Sequence, residues 1–330
     1  MRIVDLRSDS CTLPTDAMRA AMAGAAVGND MYREDPSVNR LEAHVAQLLG
    51  KEAAVFMPSG VMANQVAISL LADEGQSVLV GDLSHLHHIE GAWSRRPLIT
   101  AYEEPDEPSD EALVERMAKA VAAHPEIGAV AIENTHAAQA GHVRSLEFCR
   151  AVSSFGLPVH LDGARLMNAA AASGHTLVEL ADYATTVMFT LSKGFGAPAG
   201  SVLAGSADLM SWARLLRLGH GGAMAQAGVL AAAALVALER PVAAFADDNA
   251  RAGELYAAAE RRWPGSTGVR SSPVTNIVIF TPPDRNQVLA HLSALGILGI
   301  AWGADSIRLV THGDVTDVDL DRCIAGLAAA

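Results

Sequence analysis

A single lysine stands at the end of an apolar segment, TVMFTLSK at residues 186–193, and glycine-rich sequence follows it. The segment contains no carboxylate with which this lysine could pair. A buried ammonium group is costly unless it is neutral, paired or covalently engaged. Lys193 is therefore a candidate for a lysine that forms a Schiff base with a carbonyl group. The alternative is a lysine that extends into solvent from the end of a strand.

Two further segments point to the same chemistry. Asp162 ends the apolar segment PVHLD, and parallel sheets place their sites at the carboxyl ends of strands. The segment FMPSGVMAN is typical of a strand, a turn at Ser59-Gly60 and a helix start, whose free N–H groups attract a phosphate. A phosphate-binding turn, an acid and a lysine together match pyridoxal phosphate (PLP), in which the acid keeps the pyridine nitrogen protonated and the lysine carries the cofactor.

Short apolar segments that alternate with helical patterns must position these groups. We predict strands at 53–56, 77–82, 129–134, 158–165, 186–193 and 201–206. Their continuous rather than alternating hydrophobicity indicates strands covered on both faces, and the alternation with helices predicts an α/β sandwich with a mostly parallel sheet. Asp35 before Pro36 is typical of a helix start, and Gly50 is typical of the end of that helix.

The character of the sequence changes after Arg240-Pro241. A charged helix at about 242–263, the strand TNIVIF, a helix near 285–295, the strand SIRLVTH and a final helix predict a smaller α+β domain. We therefore expect two domains: residues 1–240, with an N-terminal segment and a large cofactor-binding domain, and residues 241–330.

Composition limits the possible partners. Half of the 330 residues are apolar and the formal net charge is −13, which argues against nucleic acid or an anionic membrane as a partner. The cysteines Cys11, Cys149 and Cys323 lack zinc spacing, and the N-terminus lacks the apolar run of a signal peptide, so we expect a cytoplasmic protein. The alanine-rich segment 221–238 predicts a buried helix rather than a membrane span.

Motifs along almost the whole chain resemble those of the L-threonine aldolase family, PLP enzymes of the aspartate-aminotransferase fold type (fold type I) in the β-eliminating lyase superfamily. They are DLRSDS, GNDMYREDPSVNRLE, MPSGVMAN, SHLHHIEGA, ENTH, HLDGAR, LSKGFGAPAG, TNIV and IRLVTH, and they occur in the family order. The resemblance implies a large α/β domain with a small C-terminal domain. It also implies cleavage of L-threonine, L-allo-threonine and related L-β-hydroxy-α-amino acids to glycine and an aldehyde.

The same resemblance implies how the cofactor is held. Lys193 would carry PLP, Asp162 would bind its pyridinium nitrogen, and His85 would stack on its ring. The phosphate and neighbouring groups of the cofactor would contact Ser59, Gly60, Val61, Ser192 and Arg165.

For the substrate, the resemblance implies that Ser8, Arg165 and Arg308 hold the carboxylate, since a guanidinium group matches a carboxylate bidentately. The alternatives are that Arg165 pairs with Asp162 and that Arg308 is a surface arginine. In the implied reaction, the base that removes the β-hydroxyl proton would be His136, His85 or a water that they position. Tyr32 would enter from a neighbouring subunit, because the resemblance implies a homodimer or homotetramer with sites at the subunit interface.

The chain departs from the family pattern in places. Val61, Ala137 and Arg33 stand where Thr, Asn and Gly are usual. Leu218 and Ala225 replace positions that are often basic and serve the cofactor region. Anchoring of the phosphate would then depend on compensation by Arg217, Arg33 or His220.

Other interpretations remain open at this stage. His85, His87 and His88 with Asp82 and Glu90 could suggest a metal site, but the HLHH segment lacks the Asp and His that metal-dependent hydrolases place after such histidines, and we expect no metal. GFGAPAG could suggest a dinucleotide site, although its spacing is GxGxxxG. A related PLP lyase or transaldolase acting on a specialised β-substituted amino acid, and a non-catalytic protein of the PLP fold, are further alternatives.

Overall fold

A computed structural model describes residues 2–90, 98–104, 109–268 and 274–330, so residues 91 and 92 of the SHLHHIEGA motif lie outside the described residues. The helices are α1 Asp16–Ala23, α2 Pro36–Leu48, α3 Gly60–Leu71, α4 Asp110–Ala123, α5 Leu146–Ser153, α6 Leu166–Ser173, α7 Leu177–Ala181, α8 Ala207–Gly219, α9 Gly228–Ala237, α10 Val242–Arg262, α11 Arg285–Ala294 and α12 Asp317–Ala329. The strands are β1 Val4–Asp5, β2 Ala53–Met57, β3 Ser77–Gly81, β4 Leu98–Tyr102, β5 Ile127–Glu133, β6 Val159–Gly163, β7 Thr186–Thr190, β8 Ser201–Gly205, β9 Ile277–Phe280, β10 Ile297–Leu298, β11 Ile300–Trp302 and β12 Ser306–Val310.

A seven-stranded sheet forms the centre of the molecule, in the order β2-β8-β7-β6-β5-β3-β4. The pairs β3–β4, β3–β5, β5–β6 and β6–β7 are parallel, whereas β8 runs antiparallel to both β2 and β7. Every residue of β3, β5, β6, β7 and β8 is buried, as expected for strands covered by helices on both faces. The predicted α/β fold with a mostly parallel sheet is confirmed.

The parallel strands bring the chemically important residues to one edge of the sheet. Glu133 is the last residue of β5 and lies in register with Asp162 on β6. Lys193 follows β7 after three residues. Because parallel strands end at the same edge, residues that are 29 to 60 positions apart in sequence become neighbours at this edge.

The C-terminal part of the chain has its own sheet and apolar cluster. Strands β11, β12 and β9 form an antiparallel sheet, and α10 and α12 pack together beside it. The N-terminal strand β1 pairs in parallel with β10, and Val4 and Leu6 are buried in the same apolar cluster as Leu255, Phe280 and Leu309. Residues 4–6 therefore pack with the C-terminal part of the chain, and Ser8 and Asp9 follow shortly after them.

Helices α2 and α9 meet at one carboxylate. Asp35 caps α2 by accepting hydrogen bonds from the N–H groups of Ser37 and Val38, as its position before Pro36 predicts. The same side chain accepts a 2.8 Å hydrogen bond from the N–H group of Gly228 at the start of α9. A Cβ atom at Gly228 would lie 2.3 Å from the Asp35 carboxylate, so any larger residue would displace this carboxylate from its capping position.

The alanine-rich helix α9 has much of its surface inside the protein, including Ala231, Ala233, Ala234 and Ala237. Within the described ranges, no single helix is long and apolar enough to cross a membrane. Helices α9 and α10 together have the length and composition to do so, but the chain bends by 73° between them.

Candidate active site

Lys193 lies at the carboxyl edge of the central sheet among several charged groups. Burial and the nearby Arg165 guanidinium lower the pKa of Lys193 from its usual value, although the carboxylates of Asp9, Asp162 and Glu133 oppose this change. A lowered pKa leaves more of the amine neutral, and the neutral amine is the form that attacks a carbonyl group. The surroundings of Lys193 therefore suit the formation of a Schiff base.

The buried Asp162 carboxylate has two protein donors. Its Oδ1 accepts a 3.0 Å hydrogen bond from the N–H group of Ala164, and its Oδ2 accepts one of 2.9 Å from Nδ2 of Asn64. Each carboxylate oxygen has a second lone pair, so Asp162 keeps capacity to accept another hydrogen bond. Such a carboxylate at a strand end fits the pyridinium N–H of PLP.

The turn between β2 and α3 offers donors for a phosphate. Oγ of Ser59 caps α3 by accepting a 3.1 Å hydrogen bond from the N–H group of Met62. The N–H groups of Gly60 and Val61 lie in the first turn of the helix, where they have no acceptor within the helix. Ser192 is half-buried on the segment that carries Lys193. Together with Lys193 and Asp162, this turn gives the site the three kinds of group that PLP requires.

Arg165 and Arg308 place two guanidinium groups near each other. Arg165 donates hydrogen bonds of 2.7 and 2.8 Å to the two oxygens of Asp9, so the partner of its guanidinium is Asp9 and not Asp162. Arg308 is half-buried, and its guanidinium lies 4.2 Å from the centre of the Trp302 ring. Burial and the charge of Arg165 lower the pKa of Arg308 to about 10, as expected for a guanidinium whose positive charge is only partly compensated by its surroundings. That charge favours an anion such as a carboxylate.

The remaining carboxylate-binding candidate, Ser8, lies beside this pair. Its side chain is half-buried and accepts hydrogen bonds from the N–H and hydroxyl groups of Ser10. Asp9 follows it in the chain and binds Asn276 as well as Arg165, which fixes the segment against both parts of the molecule.

His85 has one engaged ring nitrogen. Its Nδ1 lies 2.8 Å from Oε1 of the buried Glu90, and its backbone N–H group donates to Glu133. Burial lowers the pKa of His85, but the hydrogen bond with Glu90 and the charge of Asp162 outweigh it, so the net change is a raised pKa. The side chain is 36% exposed, and Glu90 engages it through Nδ1.

His136 differs from His85 in that both of its ring nitrogens are engaged. Its Nε2 lies 2.9 Å from Oε2 of Glu104, and its Nδ1 accepts a hydrogen bond from the N–H group of Gln139. Glu104 is itself held by Arg144 at 3.0 Å, and the His136, Glu104 and Arg144 side chains are almost completely buried. His136 thus belongs to a buried hydrogen-bonded cluster.

The residues that could replace the missing basic groups lie on two segments that an ion pair between Arg217 and Asp30 brings together. Arg217 is buried, where it forms a 2.6 Å ion pair with Asp30 and donates to the carbonyl of Phe56 on β2. Leu218, His220 and Ala225 are exposed. Tyr32 is 71% exposed, and Arg33 beside it has a left-handed backbone with φ of 62°.

Sequence reasoning gave no role to Asp9, Asn64 and Glu133, although each lies in a motif quoted for the family resemblance. Asn64 donates hydrogen bonds of 2.9 Å to both Asp162 and Glu90. Glu133 accepts hydrogen bonds from the N–H groups of His85 and Ala137, so it holds the segments of both histidines. Their position inside these motifs was the only sign in the sequence that they are functionally important. The motifs do not indicate which residues they contact.

Among the described residues, His85, Glu90 and Asp162 form a group whose possible metal-ligating atoms lie within 4.8 Å of one another. The amide nitrogen of Asn64 donates to an oxygen of each of the two carboxylates. A donor in that position competes with a cation and favours a hydrogen-bonded cluster over a metal site.

Comparisons with known proteins identify the family to which the chain is similar. The family model for beta-eliminating lyases matches residues 5–280. The chain is 38% identical over 341 residues to a probable low-specificity L-threonine aldolase 2 from Arabidopsis thaliana, covering 98% of the chain and 96% of that relative. The fold is similar to that of a threonine aldolase from Leishmania major, with 21% identity, a TM-score of 0.81 and 98% of both chains covered. It is also similar to a serine palmitoyltransferase variant from S. paucimobilis with a bound PLP–myriocin adduct, with 18% identity, a TM-score of 0.79, and 99% of this chain and 87% of that chain covered.

Proposed function

The chain belongs to the beta-eliminating lyase family, and we propose that it is a PLP-dependent aldehyde-lyase. Its substrates would be L-threonine, L-allo-threonine and related L-β-hydroxy-α-amino acids, which it cleaves to glycine and an aldehyde. The similarity to low-specificity L-threonine aldolases supports this reaction. The observation that carries the proposal is a lysine of lowered pKa beside a buried aspartate at the carboxyl edge of the sheet.

When bound, PLP withdraws electrons from the bond that is to be broken. Lys193 would carry the cofactor, and Asp162 would accept the N–H group of its ring nitrogen. The start of α3, with Ser59, Gly60 and Val61, would bind the phosphate, with Ser192 as an additional donor. His85 would cover the ring, since it lies close to both Asp162 and Lys193.

Arg308 would bind the substrate carboxylate, with Ser8 and Arg165 beside it. Asp9 neutralises most of the charge of Arg165 through two hydrogen bonds, so Arg308 supplies the less compensated charge. Arg165, which Asp9 holds in place, would orient the substrate carboxylate and would also contact the cofactor.

His85 is the better candidate for the group that takes the proton of the β-hydroxyl. Glu90 accepts from Nδ1, so a neutral His85 keeps an unprotonated Nε2 that is free to accept a proton. In His136, Gln139 donates to Nδ1 and Glu104 accepts from Nε2, so neither nitrogen is free to act. We therefore propose that His136 positions its segment and does not act as the base.

We further propose that the chain forms a homodimer or homotetramer. Trp212, Leu215 and Leu218 expose apolar side chains on one side of α8, and Met31 and Tyr32 do so nearby, because Asp30 is tied to Arg217 of α8. Exposed apolar groups that cluster in this way favour a protein contact. Tyr32 would then enter the site of the partner subunit.

We propose that the chain divides near Arg240-Pro241 into a large cofactor-binding domain and a smaller C-terminal domain, since apolar residues from Ala252 onward, together with Val4 and Leu6, form a cluster separate from that of the central sheet. We also propose a cytoplasmic location, because the three cysteines are unpaired.

Glycine release from L-threonine and L-allo-threonine, measured with the purified protein saturated with PLP, tests the activity. We expect turnover in the wild-type chain, none with Lys193→Ala, and a loss of several orders of magnitude with Asp162→Asn. Both variants should be compared for retention of PLP after dialysis: Lys193→Ala should release it, whereas Asp162→Asn should keep it. Bound PLP without glycine release in the wild type would favour a different β-substituted substrate or a non-catalytic protein. Turnover by Lys193→Ala would refute the role of this lysine.

A further inference from the structure

The side-chain amide of Asn64 joins two parts of the candidate active site. Its Nδ2 donates one hydrogen bond of 2.9 Å to Oδ2 of Asp162 and another of 2.9 Å to Oε1 of Glu90. Its Oδ1 lies 3.0 Å from Nε2 of His160, and Nδ1 of His160 lies 2.9 Å from Oγ1 of Thr186. Both protons of the Asn64 amide and its oxygen are therefore used.

These contacts fix the orientation of the amide. Oδ1 of Asn64 faces Nε2 of His160, and Nδ2 faces the carboxylates of Asp162 and Glu90. Burial lowers the pKa of His160 to about 4, so this histidine is neutral, and in this arrangement its one ring proton lies on Nε2 and is donated to Oδ1. Asn64 and His160 are both almost completely buried, so water does not compete for these bonds.

The orientation has a consequence for the two carboxylates. The oxygens that face Asn64 must both be acceptors, so neither carries a proton at that atom. Possible ligand atoms of Asp162, Glu90 and His85 lie within 4.8 Å of one another, where two negative charges repel strongly. One neutral amide that donates to both offsets this repulsion without adding a charge.

We propose that Asn64 is a positioning residue that couples Asp162 to the Glu90–His85 pair. Through Asn64, the carboxylate that would bind the cofactor ring then influences the protonation of the histidine that would move the substrate proton. This inference deepens the proposed function and rests on it for the roles of Asp162 and His85.

The charged surroundings of His85 set the direction of the expected effect. Glu90, Asp162 and Glu133 contribute negative charge, and Lys193 contributes positive charge. If the Asn64 donors are removed, the two carboxylates are less well compensated, and the cluster binds a proton more readily. The titration midpoint of His85 must then move to higher pH.

The test uses Asn64→Leu, which removes both donors at similar size, and Asn64→Asp, which keeps the shape and the bond with His160 but adds a third carboxylate. Gln65→Leu is the matched control, because Gln65 donates to Glu90 alone, at 2.8 Å. The midpoint of His85 would be followed by NMR of the full chain, first without PLP and then saturated with it. The signal of His85 is assigned by its absence in His85→Gln.

We expect the midpoint to rise by about one pH unit in Asn64→Leu and by more in Asn64→Asp, with a smaller change in Gln65→Leu. The acid limb of kcat/KM should move by the same amounts in the saturated enzyme. A purely structural role would lower the melting temperature and leave the midpoint unchanged, and that result would refute the coupling. Equal shifts in Asn64→Leu and Gln65→Leu would also refute it.

If Asn64→Leu does not fold, Asn64→Asp alone decides the question, since an unchanged or lower midpoint contradicts the proposal. The NMR titration needs no turnover. A chain that shows the shift but releases no glycine would leave the coupling intact while refuting the proposed reaction.

Discussion

His85 and His136 lie on two segments that are held by the same carboxylate, yet their surroundings differ. One oxygen of Glu133 accepts from the backbone N–H group of His85, and the other accepts from that of Ala137, next to His136. His85 is partly exposed and pairs one ring nitrogen with Glu90. His136 is buried, and protein groups engage both of its nitrogens.

The difference shows that the second ring nitrogen decides what a histidine can do. A carboxylate at one nitrogen strengthens the other as a base, provided that the other nitrogen is free. Glu90 does this for His85. Around His136, Glu104 and the N–H group of Gln139 use both nitrogens, so the same residue type stabilises a loop instead.

The largest expected effect is on kcat/KM, and it distinguishes the roles of the two histidines. His85→Gln should reduce kcat/KM for L-threonine by about 10²–10⁴-fold, the usual contribution of a general base. His136→Gln should reduce it by less than about tenfold, because the new amide can still donate to Glu104. Steady-state kinetics with saturating PLP measure both. Similar losses of kcat/KM in the two variants would contradict the assignment of different roles to the two histidines.

A smaller effect concerns the partner of His85. Burial lowers the pKa of His85, while Glu90 and Asp162 raise it, with a net increase. Glu90→Gln removes one of the charges that raise the pKa, so the pKa should fall and the acid limb of kcat/KM should move to lower pH. The weaker base should also reduce the maximum by about tenfold.

Glu104→Gln serves as the control for Glu90→Gln, since Glu104 pairs with the other histidine. Its pH profile of kcat/KM should keep the acid limb of the wild type. If Glu104→Gln moved the limb as far as Glu90→Gln does, His136 would have to be part of the catalytic group.

The Glu104 cluster should affect stability more than catalysis. Glu104→Gln leaves the buried Arg144 with less compensated charge, and breaking such a pair costs about 3–5 kcal/mol in the free energy of unfolding. Turnover of the folded variant should remain within about threefold of wild type. Chemical denaturation and steady-state rates measure the two quantities, and a large loss of turnover with unchanged stability would contradict this assignment.

The smallest effect is the pH dependence of that stability. Burial raises the pKa of Glu104, but His136 and Arg144 outweigh it, so the net pKa is lowered. A carboxyl whose pKa is lowered by folding stabilises the protein fully above its unfolded pKa of about 4.3 and loses this contribution as pH falls through the folded value. The stability difference between wild type and Glu104→Gln should therefore narrow below about pH 4. A difference that stays constant to pH 3 would contradict the shift.

Sequence patterns predicted the elements that are defined by local composition. Strands and caps such as Asp35 were visible because apolar runs and turn residues are neighbours in sequence, and Lys193 and Asp162 were found because they end such runs. The antiparallel direction of β8 was not visible, since an apolar run carries no sign of its direction.

The partners of the site residues depend on packing between distant segments. Arg165 meets Asp9, which is 156 residues away, and Asn64 meets Asp162, which is 98 residues away. No local sequence pattern indicates a hydrogen-bonded pair between residues so far apart in the chain. The choice between His85 and His136 depended on the same kind of information, because the second partner of each ring is set by the fold.

The pairing of β1 with β10 has a consequence for the order of assembly during synthesis. Val4 pairs with Ile297, and the N–H group of Val310 donates to the carbonyl of Leu6, so these bonds of residues 4–6 cannot form until residues 297–310 have been made. Contacts between segments so far apart form late, because closing the intervening loop costs entropy. Ser8 and Asp9 follow shortly after this strand. The substrate-carboxylate region would therefore be the last part of the site to form, and a nascent chain could hold a folded central sheet before it could hold a substrate.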